Sequence, residues 1–192
     1  MMRLASMIVL FYPKWFADPG DVIQQVLELR ERCHVVALRG NHEIMLLSVL
    51  RGELDALTWQ RYGGLETIAS YDGDLTTIDD EHREFLQGCR HYYETQRHLF
   101  MHANYMADLD LAEQPDQVLF WTHVSSVLPP RHRSGKTAVV GHTPQTEGEI
   151  LDLGHLICID TCCFAGGWLT ALDVGTGEIW QADRLGRLRE EE

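Results

Sequence analysis

Apolar residues along this chain gather in short runs, each closed by glycine or by a polar cluster. Val35-Val36-Ala37-Leu38 reads as a buried strand. Arg39-Gly40-Asn41-His42-Glu43 follows it, and Ile44-Met45-Leu46-Leu47 opens a helix. A strand that ends in Gly and metal-competent side chains, with a helix behind it, is how α/β enzymes present chemistry at strand ends. Gly40 permits a sharp turn. Asn41 offers a carbonyl oxygen and His42 an imidazole. The same residues also fit a plain tight turn with a helix cap.

Further elements follow from the same pattern. Met7-Ile8-Val9-Leu10 reads as a short strand, and Phe11 to Gly20 as neither helix nor central strand, since it mixes aromatics with two prolines. Asp21 is placed to cap a helix running through Arg32, with Val22, Ile23, Val26, Leu27 and Leu29 on its apolar face. Helical pieces are expected from Glu43 to Gly52, Glu53 to Tyr62 and Leu65 to Tyr71, closed in turn by Gly52, Gly63-Gly64 and Asp72-Gly73. Asp79-Asp80-Glu81 put negative charge at another helix start, with Phe85, Leu86, Tyr92 and Tyr93 facing inward. Together these make a helical cap insert, about 43–96. Strands are expected at His98–Ala103, Thr137–Val140 and Leu156–Asp160, with a helix around Pro115–Val127. Trp168–Val174 and Glu178–Ala182 read as a hairpin turning at Asp173–Gly177.

Composition narrows the classes. The 192 residues suit a single domain, 1–192, with 45% hydrophobic and 23% charged content. A net charge of -13 argues against nucleic-acid binding. No apolar run is long enough to span a bilayer, and the start lacks the features of a signal peptide. The five Cys show no zinc-type spacing and read as reduced thiols of a cytoplasmic protein.

Asn41 with His42, then His102, then His142 each end a short apolar strand. Strand ends of one sheet lie side by side, so the three can share a site, and imidazole with amide oxygen suits manganese, iron or zinc. Leu38-Arg39-Gly40-Asn41-His42-Glu43, Phe100-Met101-His102-Ala103 and Val140-Gly141-His142-Thr143-Pro144 resemble metal-site motifs of the calcineurin-like metallophosphoesterases, in the branch of bacterial serine/threonine phosphatases and diadenosine tetraphosphatases. The resemblance extends from about Val22 to Ala182. It takes in Trp59 with Gly63-Gly64-Leu65-Glu66-Thr67, and Ile159-Asp160-Thr161 with Gly166-Gly167-Trp168-Leu169-Thr170-Ala171-Leu172.

The resemblance implies an α/β two-sheet sandwich flanked by helices. It implies hydrolysis of phosphate monoesters, from phosphoproteins or small phosphoesters, by metal-activated water. Asn41, His102 and His142 would hold a divalent ion, manganese first, and His42 would be the general acid. Arg39 would shape the site, and Arg131 or Arg133 would hold phosphate. Two family motifs have no counterpart: Gly-Asp-x-His-Gly and Gly-Asp-x-x-Asp-Arg-Gly. Phe11-Tyr12 stands where the second should begin, so the expected sandwich lacks its first strand-helix unit and exposes a sheet edge. Two dications need carboxylates between them, and the three ligands here are neutral, so the expectation is one ion. Asp18 or Asp21 are the candidate substitutes. Two alternatives follow: a dinucleoside polyphosphate hydrolase, or a catalytically inactive, truncated relative. An aromatic patch of Phe11, Trp15 and Phe16 would favour self-association.

Overall fold

The structure, a computed structural model, describes residues 19–190. The expected strand at Met7–Leu10, the aromatic patch and Asp18 lie outside the described residues.

β1 (Tyr92–Glu94), β2 (His98–Met101), β3 (Thr137–Val140), β4 (Leu151–Asp152) and β5 (Leu156–Cys158) build one mixed sheet in the order β1-β2-β3-β5-β4. The central pairs β2–β3 and β3–β5 are parallel, with Leu99 opposite Ala138 and Val139 opposite Ile157. The edge strands β1 and β4 run antiparallel to their neighbours. Side chains alternate across the sheet. Leu99, Met101, Ala138, Val140 and Leu156 pack with Leu119 and Phe120 on one face. Phe100, Val139 and Ile159 meet Leu172 on the other. Both faces are covered, which is why these strands read as unbroken apolar runs.

Leu172 belongs to a second, two-stranded sheet of β6 (Leu169–Leu172) and β7 (Ile179–Ala182). Its turn is held as the sequence predicts. Gly177 N–H donates to the Asp173 carbonyl at 2.7 Å, and the Asp173 carboxylate accepts from Gly175 N–H at 2.7 Å.

The helices are α1 (Pro19–Arg30), α2 (Asn41–Leu50), α3 (Ala56–Trp59), α4 (Leu65–Ala69), α5 (Asp80–Gly88) and α6 (Asp116–Trp121). The first five pack Ile23, Met45, Leu46, Trp59 and Leu86 into a core of their own. α1 is described from Pro19, and Asp21, expected as its cap, lies within its first turn. Between α3 and α4 the chain makes a wide turn, Gln60–Gly64, in which Gly63 takes φ 96°. A Cβ on Gly64 would sit 2.4 Å from the Trp59 ring, so glycine there lets the buried indole lie flat on the backbone.

Three expectations are corrected. Val35–Leu38 is not a full strand. It forms one parallel bridge, Leu38 to Arg90, with Arg39 N–H donating to Arg90 O at 2.7 Å and Arg90 N–H to Ala37 O at 2.9 Å. The chain after Arg90 soon turns into β1, so the pairing ends there. The insert is helical only to Gly88, because Tyr92–Glu94 pair with β2. The helix expected to reach Val127 stops at Trp121, since Thr122 is extended. Among the described residues, no helix is long and apolar enough to cross a membrane.

Candidate active site

Asn41 and His42 are the first two residues of α2. His102 follows β2, and His142 stands just past β3. Because β2 and β3 are parallel, both histidines emerge at the same end of the sheet. Gly141 N–H donates to His102 O at 2.9 Å and ties the two loops together.

The donor atoms converge. His102 Nε2 is 2.9 Å from Asn41 Oδ1 and 3.0 Å from His142 Nδ1. His142 Nε2 is 3.2 Å from the Trp121 carbonyl. That carbonyl only accepts, so His142 carries its proton on Nε2 and presents the Nδ1 lone pair to the site. His142 also takes a left-handed backbone, φ 59°, a conformation non-glycine residues adopt at a cost. Its ring lies 4.7 Å from that of His102.

Both imidazoles are held neutral. Burial pushes His142 down to about 4, with His123 adding to the effect. Burial also drives His102 well below the ordinary value, with His142, His42 and His123 contributing. Neutral imidazole is the ligating form. A ring nitrogen of His142 and the amide oxygen of Asn41, each within 3.0 Å of His102 Nε2, make a donor set that could hold one divalent transition-metal ion. None of these three donors carries a charge to offset the repulsion of a second dication. Among the described residues, no group of three or more His, Cys, Asp or Glu side chains is placed to hold a metal; the third donor is an asparagine. Asp21, the proposed substitute ligand, is exposed on α1.

A pH effect follows. Between its ordinary 6.5 and its folded value near 4, the unfolded chain binds a proton on His142 that the folded chain refuses. The stability of the metal-free protein should therefore be intact above pH 6.5 and fall as pH drops through this window. Urea midpoints at pH 7.5 and pH 5 in the presence of chelator check this, and equal midpoints would contradict it.

Gly40 sets the spacing. A Cβ there would lie 2.6 Å from His102 Nδ1 and 2.9 Å from Glu43 Oε2. The Glu43 carboxylate accepts from Gly40 N–H at 2.7 Å, and burial raises its pKa. Gly40→Ala should push the His102 ring off its line. Manganese affinity is expected to fall about 10–100-fold, the size of effect seen when a ligand's support is disturbed. Calorimetry reads this directly.

These side chains border a cavity of about 290 Å³. Its lining includes the polar residues Asn41, His42, His102, His123, His142 and Asp160 and the apolar residues Met45, Tyr62, Trp121, Phe164, Trp168 and Leu169. His123 and Asp160 were not among the residues singled out for the site. The His123 ring lies 4.5 Å from that of His142. Asp160 follows β5, so the strand-end rule that found His102 and His142 points to it as well. Its carboxyl is raised by burial and eased back by Cys162 N–H and by His123.

The arginines go elsewhere. Arg39 sends Nη2 to the Gln87 carbonyl at 2.6 Å and reaches Leu86 O at 3.5 Å, closing the C-terminus of α5 as a cation there should. Arg131 donates to Gly135 O at 3.2 Å. Arg133 donates to Asp108 O at 3.1 Å and faces Asp110 at 3.5 Å. None of the three borders the cavity.

No protein-family model matches the sequence. A solved structure of a protein provisionally named a diadenosine tetraphosphatase is similar, with a TM-score of 0.56 and 18% identity, over 82% of this chain and 72% of that one. At that identity the likeness speaks to architecture, and this chain shares the α/β fold of that structure, a mixed sheet flanked by helices.

Proposed function

We infer that the chain is a metal-dependent phosphoester hydrolase of metallophosphoesterase type, built as the two-sheet sandwich of that family. The observation that carries this reading is the convergence of Asn41, His102 and His142 at one end of the sheet. The similarity to a protein named for phosphoanhydride cleavage supports it. Asn41, His102 and His142 would hold one divalent ion, manganese first. When bound, such an ion supplies Lewis-acid polarisation of a phosphoryl oxygen and acidifies water.

The chain's own residues have the remaining tasks. His42 and Asn41 open a ten-residue helix, whose N-terminus favours a bound phosphate. His42 borders the cavity and is assigned the proton delivered to the leaving oxygen. No arginine borders the cavity among the described residues, so phosphate charge is met by the ion, the helix end and imidazole N–H groups.

The test is manganese-dependent hydrolysis of p-nitrophenyl phosphate by the purified chain beside His42→Ala. The mutant should lose about 10²–10⁴-fold, the usual worth of a general acid. Turnover that neither exceeds the mutant's nor depends on manganese would sink the reading; equal manganese-dependent rates would take the acid role from His42. The neighbour's name favours a second substrate, a dinucleoside polyphosphate. Comparing turnover of a phosphopeptide with that of diadenosine tetraphosphate separates it from the phosphoprotein reading.

A further inference from the structure

One aromatic residue of the cavity lining is braced by the chain around it. Trp168 borders the cavity, and its backbone is clamped on both sides by one residue. Trp168 N–H donates to the Thr161 carbonyl at 2.9 Å, and Thr161 Oγ1 donates to the Trp168 carbonyl at 2.6 Å. Thr161 and Thr170 are buried, and their hydroxyls are 2.5 Å apart.

The hydrogen bonds donate inward in one direction, from Arg189 towards Trp168. Because Thr161 spends its proton on Trp168, Thr170 must donate to Thr161. Gln181 Nε2 then donates to Thr170 Oγ1 at 2.9 Å and to Gly148 O at 3.2 Å. Arg189 completes the chain, donating to Gln181 Oε1 at 2.8 Å and to Gly148 O at 3.3 Å. Its guanidinium also pairs with Glu149 and lies over the Trp168 ring, 5.4 Å from the centroid. Gly148 approaches the same ring so closely that a Cβ would sit 3.0 Å from it.

An arginine at the end of the chain thus fixes an indole at the cavity wall, beside Tyr62, Trp121 and Phe164. We propose that Trp168 is the specificity-determining residue of the site. In this assignment it packs against a flat aromatic ring on the substrate's leaving group, and Arg189 is the positioning residue that holds it. This rests on the phosphoester reading of the polar residues. The metal-proximal donors hold the phosphate end, and the aromatic wall takes what lies beyond it. A ring packed on a fixed aromatic gains affinity and loses little freedom, because the wall is already in place.

The test is calorimetric titration of the manganese-loaded full chain with phenylphosphonate, methylphosphonate, adenosine 5′-monophosphate and adenosine. Phenylphosphonate should bind more tightly than methylphosphonate. Trp168→Ala should cost the ring-bearing ligands about tenfold and leave methylphosphonate unchanged, Trp168→Phe should restore most of the loss, and Arg189→Met should cost about threefold. The adenosine monophosphate and phenylphosphonate arms show whether the ring is a nucleobase or a simple aryl group. Equal losses for ring-bearing and ring-free ligands would overturn the proposal. If adenosine binds through Trp168 while no phosphate or phosphonate binds, the wall stands and the phosphoester reading falls. If none of the four binds, both fall.

Discussion

His102→Ala is expected to lower manganese affinity by more than about 100-fold and to take any metal-dependent turnover to background. Disturbing a ligand's support alone costs about 10–100-fold, and His102 is the centre of the donor set. Its Nε2 lies within hydrogen-bond reach of both other donors, whereas no contact joins Asn41 to His142 directly. Removing the ring therefore loses one donor and unlinks the other two. Asn41→Ala takes away a weaker oxygen donor and should cost less. Calorimetry and metal analysis after desalting read both variants. An unchanged dissociation constant in His102→Ala would mean that the ion, if any, binds elsewhere.

Phe100→Ala is the second large effect, this time on folding. Phe100 is fully buried and sits where the two sheets meet, packed with Val139, Ile159 and Leu172. Its ring also lies against Tyr93 and His98, with centroids 6.4 and 5.9 Å away. Cutting it to alanine loses the transfer free energy of the ring and leaves a cavity that flanking strands cannot close. The cost should be about 3–5 kcal/mol. That is a large share of a typical domain's stability, so the variant should unfold at a markedly lower urea concentration. A midpoint shift worth less than about 1 kcal/mol would show that the second sheet is not packed tightly on the first.

The polar centre of the candidate site is legible in the sequence because Asn41, His102 and His142 each follow an apolar run. His102 and His142 could be placed side by side from strand logic alone, and their donors do meet. The same logic covers Asp160, which follows β5 and borders the same cavity. His123 carries no such signal. It follows α6, which ends at Trp121 where a longer helix was expected, and only the folded chain lays its ring on His142. Arg39 neighbours Asn41 in sequence but does not border the cavity. Backbone direction sends its side chain to the end of α5 instead. Local pattern is similarly blind to the fate of Val35–Leu38. A run of apolar residues states burial, and strand length depends on a partner segment that here diverges after Arg90.

The wide sequence separation of the donors has a consequence for how the protein acquires its site. Asn41 and His102 are 61 residues apart, and His102 and His142 are 40 apart. They meet only after β2 and β3 have paired in parallel, the slow kind of pairing in which loop closure precedes any reward. An ion arriving early has nothing organised to bind, so it cannot template the nascent sheet. Under the proposed metal-binding reading an ion would act late, as mass action on a finished chain, adding roughly 2.7 kcal/mol at a hundredfold excess over its dissociation constant. On that reading manganese would slow unfolding and leave the refolding rate almost untouched, a chevron with one arm moved; a refolding arm that moves with the metal would contradict it.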